Sequence, residues 1–245
     1  MAKDLFSKQA SIYAQYRPGY PRELFEYIVS FVKEKNTAWD CATGNGQAAL
    51  ELAHYFNQVM ATDISEKQLQ QAMPHEKIRY SVSAAEATSF DDQVFDCITV
   101  AQAYHWFNFD AFHKEVMRVA KPGAVIAVWG YGLIVCEDEN INDLIGEFYR
   151  NEVGPYWDAE RKHIDAHYTT VPFPYNPLPG KDMQIQVTWD LNQLTGYLNT
   201  WSSVQHFVKQ NAYNPVEKLA PLLEQLWPAG TKNFYFPLFV KAGTV

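Results

Sequence analysis

No apolar run in this sequence is long enough to cross a bilayer. The longest, Val125 to Val135, is about half the ~20 residues a spanning helix needs, and Gly130 and Gly132 interrupt it. It reads as a buried strand. The N-terminus, MAKDLFSKQASIYAQYRPGYP, lacks the apolar centre of a secretory signal. Cysteine is scarce. Cys41, Cys97 and Cys136 lie far apart and form no Cys-x-x-Cys pair, and their odd number suits a reducing, cytoplasmic setting. No basic run stands out, and 20 Lys and Arg against 28 Asp and Glu leave a net charge of −8. Nucleic acid is a poor partner for such a chain, because that affinity comes mainly from neutralising phosphates. Charged residues make up only 20%, too few for a disordered protein or a coiled coil. The 12 glycines and 13 prolines follow no period, which excludes collagen-like repeats.

What remains is enough apolar material for a core: 47% of 245 residues, a length of one or two domains at roughly 150 residues each. Pro21 opens a helical pattern with Phe25, Ile28, Val29 and Val32 on one face. A short run from Thr37 to Cys41 then leads into the turn Thr43-Gly44-Asn45-Gly46, followed by a helix face of Ala49, Leu52, Ala53 and Phe56. Strand and helix patterns alternate five times between Thr37 and Trp129. That predicts parallel βαβ units with both sheet faces covered. One of these helices, with Phe109, Phe112, Val116 and Val119 on a face, should stop at Lys121-Pro122-Gly123.

After Gly132 the alternation breaks. Residues 133–180 read as an insertion over the ligand edge of the sheet, with a proline-rich end at 171–180 that cannot be a regular helix. Met183 to Leu191 alternates as a half-buried strand. Leu194, Leu198, Trp201 and Val208 follow at helical spacing, and Pro215 begins a further helix. The last strand, Phe234 to Val240, contains Pro237, which predicts an edge, a bulge or a strand start there.

The chemistry concentrates in Asp40-Cys-Ala-Thr-Gly44-Asn-Gly46-Gln-Ala-Ala49, between a strand and a helix. Glycines let backbone approach a ligand, and the helix start offers free N–H groups. Asp63, 17 residues after Gly46, sits at the tip of the second strand, placed for ribose hydroxyls. These features suit an adenosine-containing cofactor. Gly44-x-Gly46-x-x-Ala49 also matches a dinucleotide fingerprint, so an NAD-linked oxidoreductase is one alternative. Asp40 argues otherwise. A carboxylate beside the turn repels a pyrophosphate and attracts the ammonium of an amino-acid moiety.

The chain resembles the class I S-adenosylmethionine-dependent methyltransferases through ordered blocks. These are Asp40 to Gly46, Ala61-Thr62-Asp63, Ala85-Glu86, Phe95-Asp96-Cys97-Ile98, and Arg118 to Gly123. The segment Tyr13-Ala-Gln-Tyr16-Arg17-Pro18-Gly-Tyr20-Pro21 resembles the trans-aconitate methyltransferase-like branch. The resemblance implies one domain over 1–245: a Rossmann-like open α/β sheet, mostly parallel with an antiparallel closing strand. Helices would cover both faces; the lid at 1–20 and the cap at 133–180 are read from the sequence pattern, since the resemblance itself covers roughly residues 11–130. It also implies roles. Gly44 and Gly46 would meet the methionine part of S-adenosyl-L-methionine, Asp40 its ammonium, and Asp63 the ribose. Ile64, Ala85 and Glu86 would border the adenine, and Ala101 the methionyl pocket. The family often has Gly where Ala42 sits and Asp where Ala84 sits.

Methyl transfer from a sulfonium needs in-line positioning and exclusion of water more than acid–base chemistry. A small-molecule acceptor fits the negative net charge. A carboxylate acceptor would need no base; a phenol, thiol or amine would favour one. His105, at the end of the fourth strand, is the candidate base, because an unperturbed imidazole titrates near pH ~6.5. Arg17 is a candidate carboxylate clamp. Tyr16 and Trp106 are candidate substrate contacts. His163 and His167, four apart, could share a helix face, but no third ligand accompanies them, so no metal is expected. A non-catalytic cofactor-binding protein on the same scaffold is the other alternative. The acceptor and the oligomeric state are not written in the sequence.

Overall fold

The computed structural model describes residues 15–227 and 229–245. Of the lid expected at 1–20, only 15–20 fall within these residues, and Tyr13 lies outside them. The elements are α1 (Arg22–Val29), β1 (Thr37–Cys41), α2 (Gln47–Leu52), β2 (Gln58–Asp63), α3 (Glu66–Leu69) and β3 (Ile78–Val82). There follow β4 (Phe95–Ala101), α4 (Phe109–Val119), β5 (Ala120–Tyr131), β6 (Val135–Cys136), α5 (Glu139–Glu147) and α6 (Arg161–Asp165). The chain ends with β7 (Asn176–Pro177), β8 (Met183–Trp189), α7 (Leu191–Asn199), α8 (Ser202–Asn211), α9 (Val216–Leu226) and β9 (Lys232–Thr244).

The strand order is β3-β2-β1-β4-β5-β9-β6, with β7 and β8 also paired to β9. Strands β1 to β5 are parallel and β9 runs antiparallel to β5. This is the mostly parallel, Rossmann-like sheet expected from the sequence. The order reverses between β1 and β4, where open α/β sheets bind ligands at the strands' carboxyl ends. The pleat sends alternate residues of β5 to opposite faces. Val125, Ala127 and Trp129 join a core with α1, α2 and α7 to α9, while Ile126 and Val128 join a second core under α4. Asp96, buried at the start of β4, accepts from the N–H groups of Asn36 (3.0 Å) and Thr37 (2.9 Å) and pairs with Lys121 (2.6 Å). It ties the entry ends of three strands together.

Several expectations need correction. Residues 83–94, between the strands β3 and β4 that the sequence places in succession, hold no helix, so the count of five alternations is one too many. The Lys121-Pro122-Gly123 breaker does not separate helix from strand. α4 ends at Val119 and β5 begins at Ala120, with pairing that skips from Phe95↔Ala120 to Cys97↔Val125, so the breaker loops out of the ladder. The run from Leu194 to Val208 is two helices, split at Thr200-Trp201. Pro237 sits mid-strand in β9, with β8 on one side and β5 and β6 on the other. Its carbonyl accepts from Gly132 (2.9 Å). In extended backbone N and O point the same way, so the missing donor falls in the gap where β5 has ended and β6 has not begun.

Residues 133–180 wrap the sheet instead of only capping it. Ile141, Ile145 and Val153 pack in the first core; Ile164, Tyr168, Val171 and Tyr175 pack in the second. Between these two anchorages the chain crosses above the ends of β4 and β5.

The β1–α2 turn carries three left-handed residues, Ala42 (φ 55°), Gly44 (φ 57°) and Gly46 (φ 84°). Glycine accepts this conformation freely, whereas the methyl of Ala42 costs roughly 1–2 kcal/mol. Ala42→Gly should therefore raise stability by about 1 kcal/mol after the entropy of the freer unfolded chain is set against it. Urea unfolding would read this as a higher midpoint at unchanged slope, and a lower midpoint would refute the strain argument.

Candidate functional site

The main cavity opens at the carboxyl ends of β1, β2 and β4. Gly44, Asp63, Ile64, Ala85, Glu86, Ala101 and Trp106 all line it, as the sequence expects. Asp63 organises the turn: its Oδ2 accepts from the Gly44 N–H (2.8 Å) and its Oδ1 from the Ser65 N–H (2.8 Å). Glu86 reaches the N–H of Asn108 (2.9 Å), the cap of α4, so the cavity wall and that helix move together.

Asp40 and Gly46 do not line the cavity. The Asp40 side chain is fully buried behind the turn, where its oxygens accept from the hydroxyls of Thr43 and, at 2.8 Å, Thr99. Loss of solvent pushes its pKa up to about 6, against the pull of the two hydroxyls and of the Ala49 main chain. Its charge therefore acts through one layer of protein. Gly46 is required for a different reason from the one the motif suggests. A Cβ there would stand 2.6 Å from the Tyr80 hydroxyl oxygen, on top of the left-handed backbone. Gly44 has nothing within 4 Å of such a Cβ and is the glycine that faces open space.

A second compartment adjoins the first and shares Gln102 and Trp106 with it. Arg17, His105, Trp157, Asp158, Arg161 and Ser202 complete much of its wall. Arg17 donates to the Tyr131 hydroxyl (2.7 Å) and to the Thr200 carbonyl (3.2 Å), over the Tyr197 ring. Arg161 stacks on Trp157, 4.6 Å from its centroid, and donates to the Tyr149 hydroxyl (2.9 Å). Both guanidinium groups are thus held in place. Tyr16 lies in a separate groove with Arg17, its ring packed onto Gly196, where a Cβ would stand only 2.4 Å away. It positions the chain beside Arg17.

The premise for His105 as a base needs correction. Its imidazole is buried, and burial, Arg161 and His163 together lower its pKa to about 3. The ring is neutral at physiological pH and a poor proton acceptor there. His163 and His167 do not share a helix face: α6 ends at Asp165, and His167 is left-handed (φ 49°) and stacks on Phe239.

Gln102, Trp157 and Tyr168 are not singled out by the sequence, and Arg161 stands out there only as part of a cationic patch with Lys162, His163 and His167 that would favour an anionic acceptor. Gln102 had one usable signal, its place directly after β4, and its backbone is left-handed (φ 54°). The other three come from the 133–180 segment, whose pattern does not predict its path.

The charges lining the main cavity discriminate between cofactors. Among the described residues it has no Lys, Arg or His in its wall, and it has two carboxylates, Asp63 and Glu86. A pyrophosphate would find no cation there. A nucleoside bearing a sulfonium and an ammonium finds hydroxyl-binding carboxylates and a negative field.

Comparison with known proteins agrees. Residues 39–128 match the methyltransferase domain family. An inferred methyltransferase of Dictyostelium discoideum is 32% identical over 209 residues, covering 84% of this chain and 80% of that protein. The structure of an inferred type II methyltransferase from Anaeromyxobacter dehalogenans superposes with a TM-score of 0.86 at 35% identity, over 94% of this chain and 98% of that one. A phosphoethanolamine N-methyltransferase of Haemonchus contortus, solved with S-adenosylhomocysteine, shares the fold at 15% identity and a TM-score of 0.51, over 99% of this chain and 60% of that one. Kinship and the chemistry of the cavity wall agree: the chain belongs to the class I methyltransferases, enzymes whose cofactor is S-adenosylmethionine.

Proposed function

We propose that this enzyme methylates a small carboxylate-bearing molecule, as a member of the trans-aconitate methyltransferase-like branch. The observation that carries this reading is the second compartment, which joins the cofactor cavity along Gln102 and Trp106 and holds Arg17 and Arg161 in its wall. The wall itself holds two fixed guanidinium groups and one carboxylate, Asp158, with Arg161 also paired to Asp165 (3.4 Å) behind it, and this balance favours an anion. Planar guanidinium is suited to binding carboxylates. A carboxylate oxygen is already a nucleophile, which suits a compartment whose histidine is a poor base.

In this reading Asp63 holds the ribose, Ile64, Ala85 and Glu86 border the adenine, and Gly44 and Ala101 face the methionyl part. Asp40 attracts the ammonium from behind the turn. Bound S-adenosylmethionine supplies a methyl group on a positively charged sulfur, already activated for displacement. The protein's work is alignment and dryness. Arg17 and Arg161 would seat the acceptor, and Trp106 would form the partition at which the two compartments meet. Residues 157–168 of the cap, with the N-terminal segment, would exclude water. We read 1–245 as one catalytic domain of a cytoplasmic enzyme, in keeping with three buried, unbridged cysteines. Among the described residues no helix is long and apolar enough to cross a membrane.

Four outcomes test this reading. Asp63→Ala should weaken S-adenosylmethionine binding by about 1.5–3 kcal/mol in calorimetry, the worth of a hydrogen bond to a charged group; parental affinity would remove Asp63 from the site. A positive ligand near Asp40 lowers its pKa from about 6, so binding at pH 6 should release protons. Calorimetry in buffers of different ionisation heat would reveal this, and an identical signal in Asp40→Asn would deny Asp40 the role. Given labelled S-adenosylmethionine and a panel of di- and tricarboxylates, the enzyme should form methyl esters. Arg161→Gln should raise the acceptor KM about tenfold, or ~1.4 kcal/mol. Methylation of amines or phenols alone would overturn the carboxylate assignment.

A further inference from the structure

Two histidines on the second face of the sheet are each gripped by a tyrosine from the wrapping segment. His113 Nδ1 lies 2.7 Å from the Tyr175 hydroxyl and His105 Nδ1 lies 3.0 Å from the Tyr168 hydroxyl. The two grips differ at the other ring nitrogen. His113 Nε2 is 3.1 Å from the Tyr104 hydroxyl, which itself donates to the Pro172 carbonyl. Both nitrogens of His113 are therefore occupied inside the protein. His105 Nε2 has no such partner among the described residues, and His105 lines the compartment with Arg17 and Arg161.

The proton inventory of the Tyr168 hydroxyl decides the state of His105. The Tyr168 side chain is completely buried, and burial pushes its phenol pKa up, so it keeps its proton. Among the described residues the His105 Nδ1 is the acceptor within reach of that proton. Polar main-chain groups of His105 and Tyr104 pull the phenol pKa down, against burial, without overcoming it. Were Nδ1 protonated, it would donate to the phenol oxygen and leave the buried hydroxyl proton without this acceptor, which costs about 1–3 kcal/mol. A neutral imidazole with Nδ1 bare must carry its proton on Nε2.

We propose that Tyr168 is a positioning residue that locks His105 as the Nε2–H tautomer, so that the histidine offers the acceptor a fixed, uncharged N–H donor. This rests on reading the second compartment as the acceptor site, and it adds a requirement on the substrate: an oxygen or nitrogen lone pair beside the group the arginines hold. The surroundings are built to keep that state. Burial and the Arg161 guanidinium, joined by His163 whenever that ring is protonated, oppose a positive charge on His105. Tyr168 follows His167 in a second consecutive left-handed position (φ 56°), and its carbonyl is pinned by Lys241 Nζ at 2.8 Å. Strain of this kind persists where the surrounding structure over-determines it, and it concentrates at functional positions.

Nitrogen-15 NMR of the full chain reads the tautomer directly, with His113 as internal reference. The proposal expects a bare Nδ1 and a protonated Nε2 at His105, unchanged from pH 5 to 8. It also expects a saturable shift of that N–H when succinate is added in the presence of S-adenosylhomocysteine. In Tyr168→Phe, which removes one oxygen, the lock is lost and His105 should show both tautomers while S-adenosylmethionine affinity stays parental. With a methylated carboxylate in hand, His105→Gln, whose amide nitrogen reaches the Nε2 position, should keep far more turnover than His105→Asn, which reaches only to Nδ1. A proton on Nδ1, titration near the ordinary imidazole value, or no response to succinate would each overturn the proposal. Failure of the parent to bind S-adenosylmethionine would instead strike the functional reading, leaving the tautomer to be judged from the spectrum alone.

Discussion

The carboxylate of Asp40, wholly buried where the strand order reverses, is the interaction on which the site depends. Thr43 grips it from the turn and Thr99 from the neighbouring strand β4. The first bond fixes the path of the turn. The second fixes that turn to the strand whose end forms the opposite wall of the cavity. Asp63 then completes the arrangement from β2 by accepting from Gly44. Two acids on adjacent strands thus hold one loop open from two sides. A buried carboxylate is costly without such partners, and here the same bonds that meet that cost define the cavity.

How much of this was legible follows from how far apart the partners lie. The sheet, its ligand edge and most of the cavity wall were readable, because a strand end, a glycine turn and a carboxylate 17 residues on are local patterns that one topology connects. Asp40 was readable as an acid at the right place, but not as one walled off from the cavity. That depends on Thr99, 59 residues away on a different strand. Gly46 looked like a ligand contact because the motif says so. The side chain that demands it, Tyr80, sits on β3 and leaves no trace near the turn. His105 was misjudged for the same reason. Position alone suggests an ordinary imidazole, whereas its neighbour Tyr168 is 63 residues downstream in a segment with no periodic pattern. The place of the proline inside β9 is likewise settled by pairing partners that no local window contains.

The two compartments carry opposite electrostatic character, and this suits the reaction class. The cofactor side has Asp63 and Glu86 in its wall with Asp40 behind, and no cationic side chain among the described residues. The second compartment, the acceptor site under the reading proposed above, has Arg17, Arg161 and Asp158 in its wall. A displacement at a sulfonium annihilates charge: a positive sulfur and a negative nucleophile become two neutral groups. Ground-state charges must therefore be held close together without being bonded so tightly that neutral products cannot leave. For a carboxylate acceptor, separating the fields across one shared wall, Gln102 and Trp106, would give each reactant its own counter-charge and leave the line between them free of charged side chains.

A neutral histidine is the consistent partner for such a wall. A cationic imidazolium would bind an anionic acceptor more strongly still, but it would draw charge away from the attacking oxygen and slow the displacement. A basic imidazole would invite water and protons into a compartment whose purpose is to exclude both. A fixed N–H donor directs the acceptor without taking its charge, and the wrapping segment that supplies Tyr168 also supplies Arg161 and Trp157. Under the proposed reading, one stretch of chain therefore supplies the acceptor's charge partner, its aromatic wall and the tyrosine that sets the tautomer of its histidine. Changing substrate in this architecture would require rewriting residues 157–168 while leaving the cofactor turn untouched.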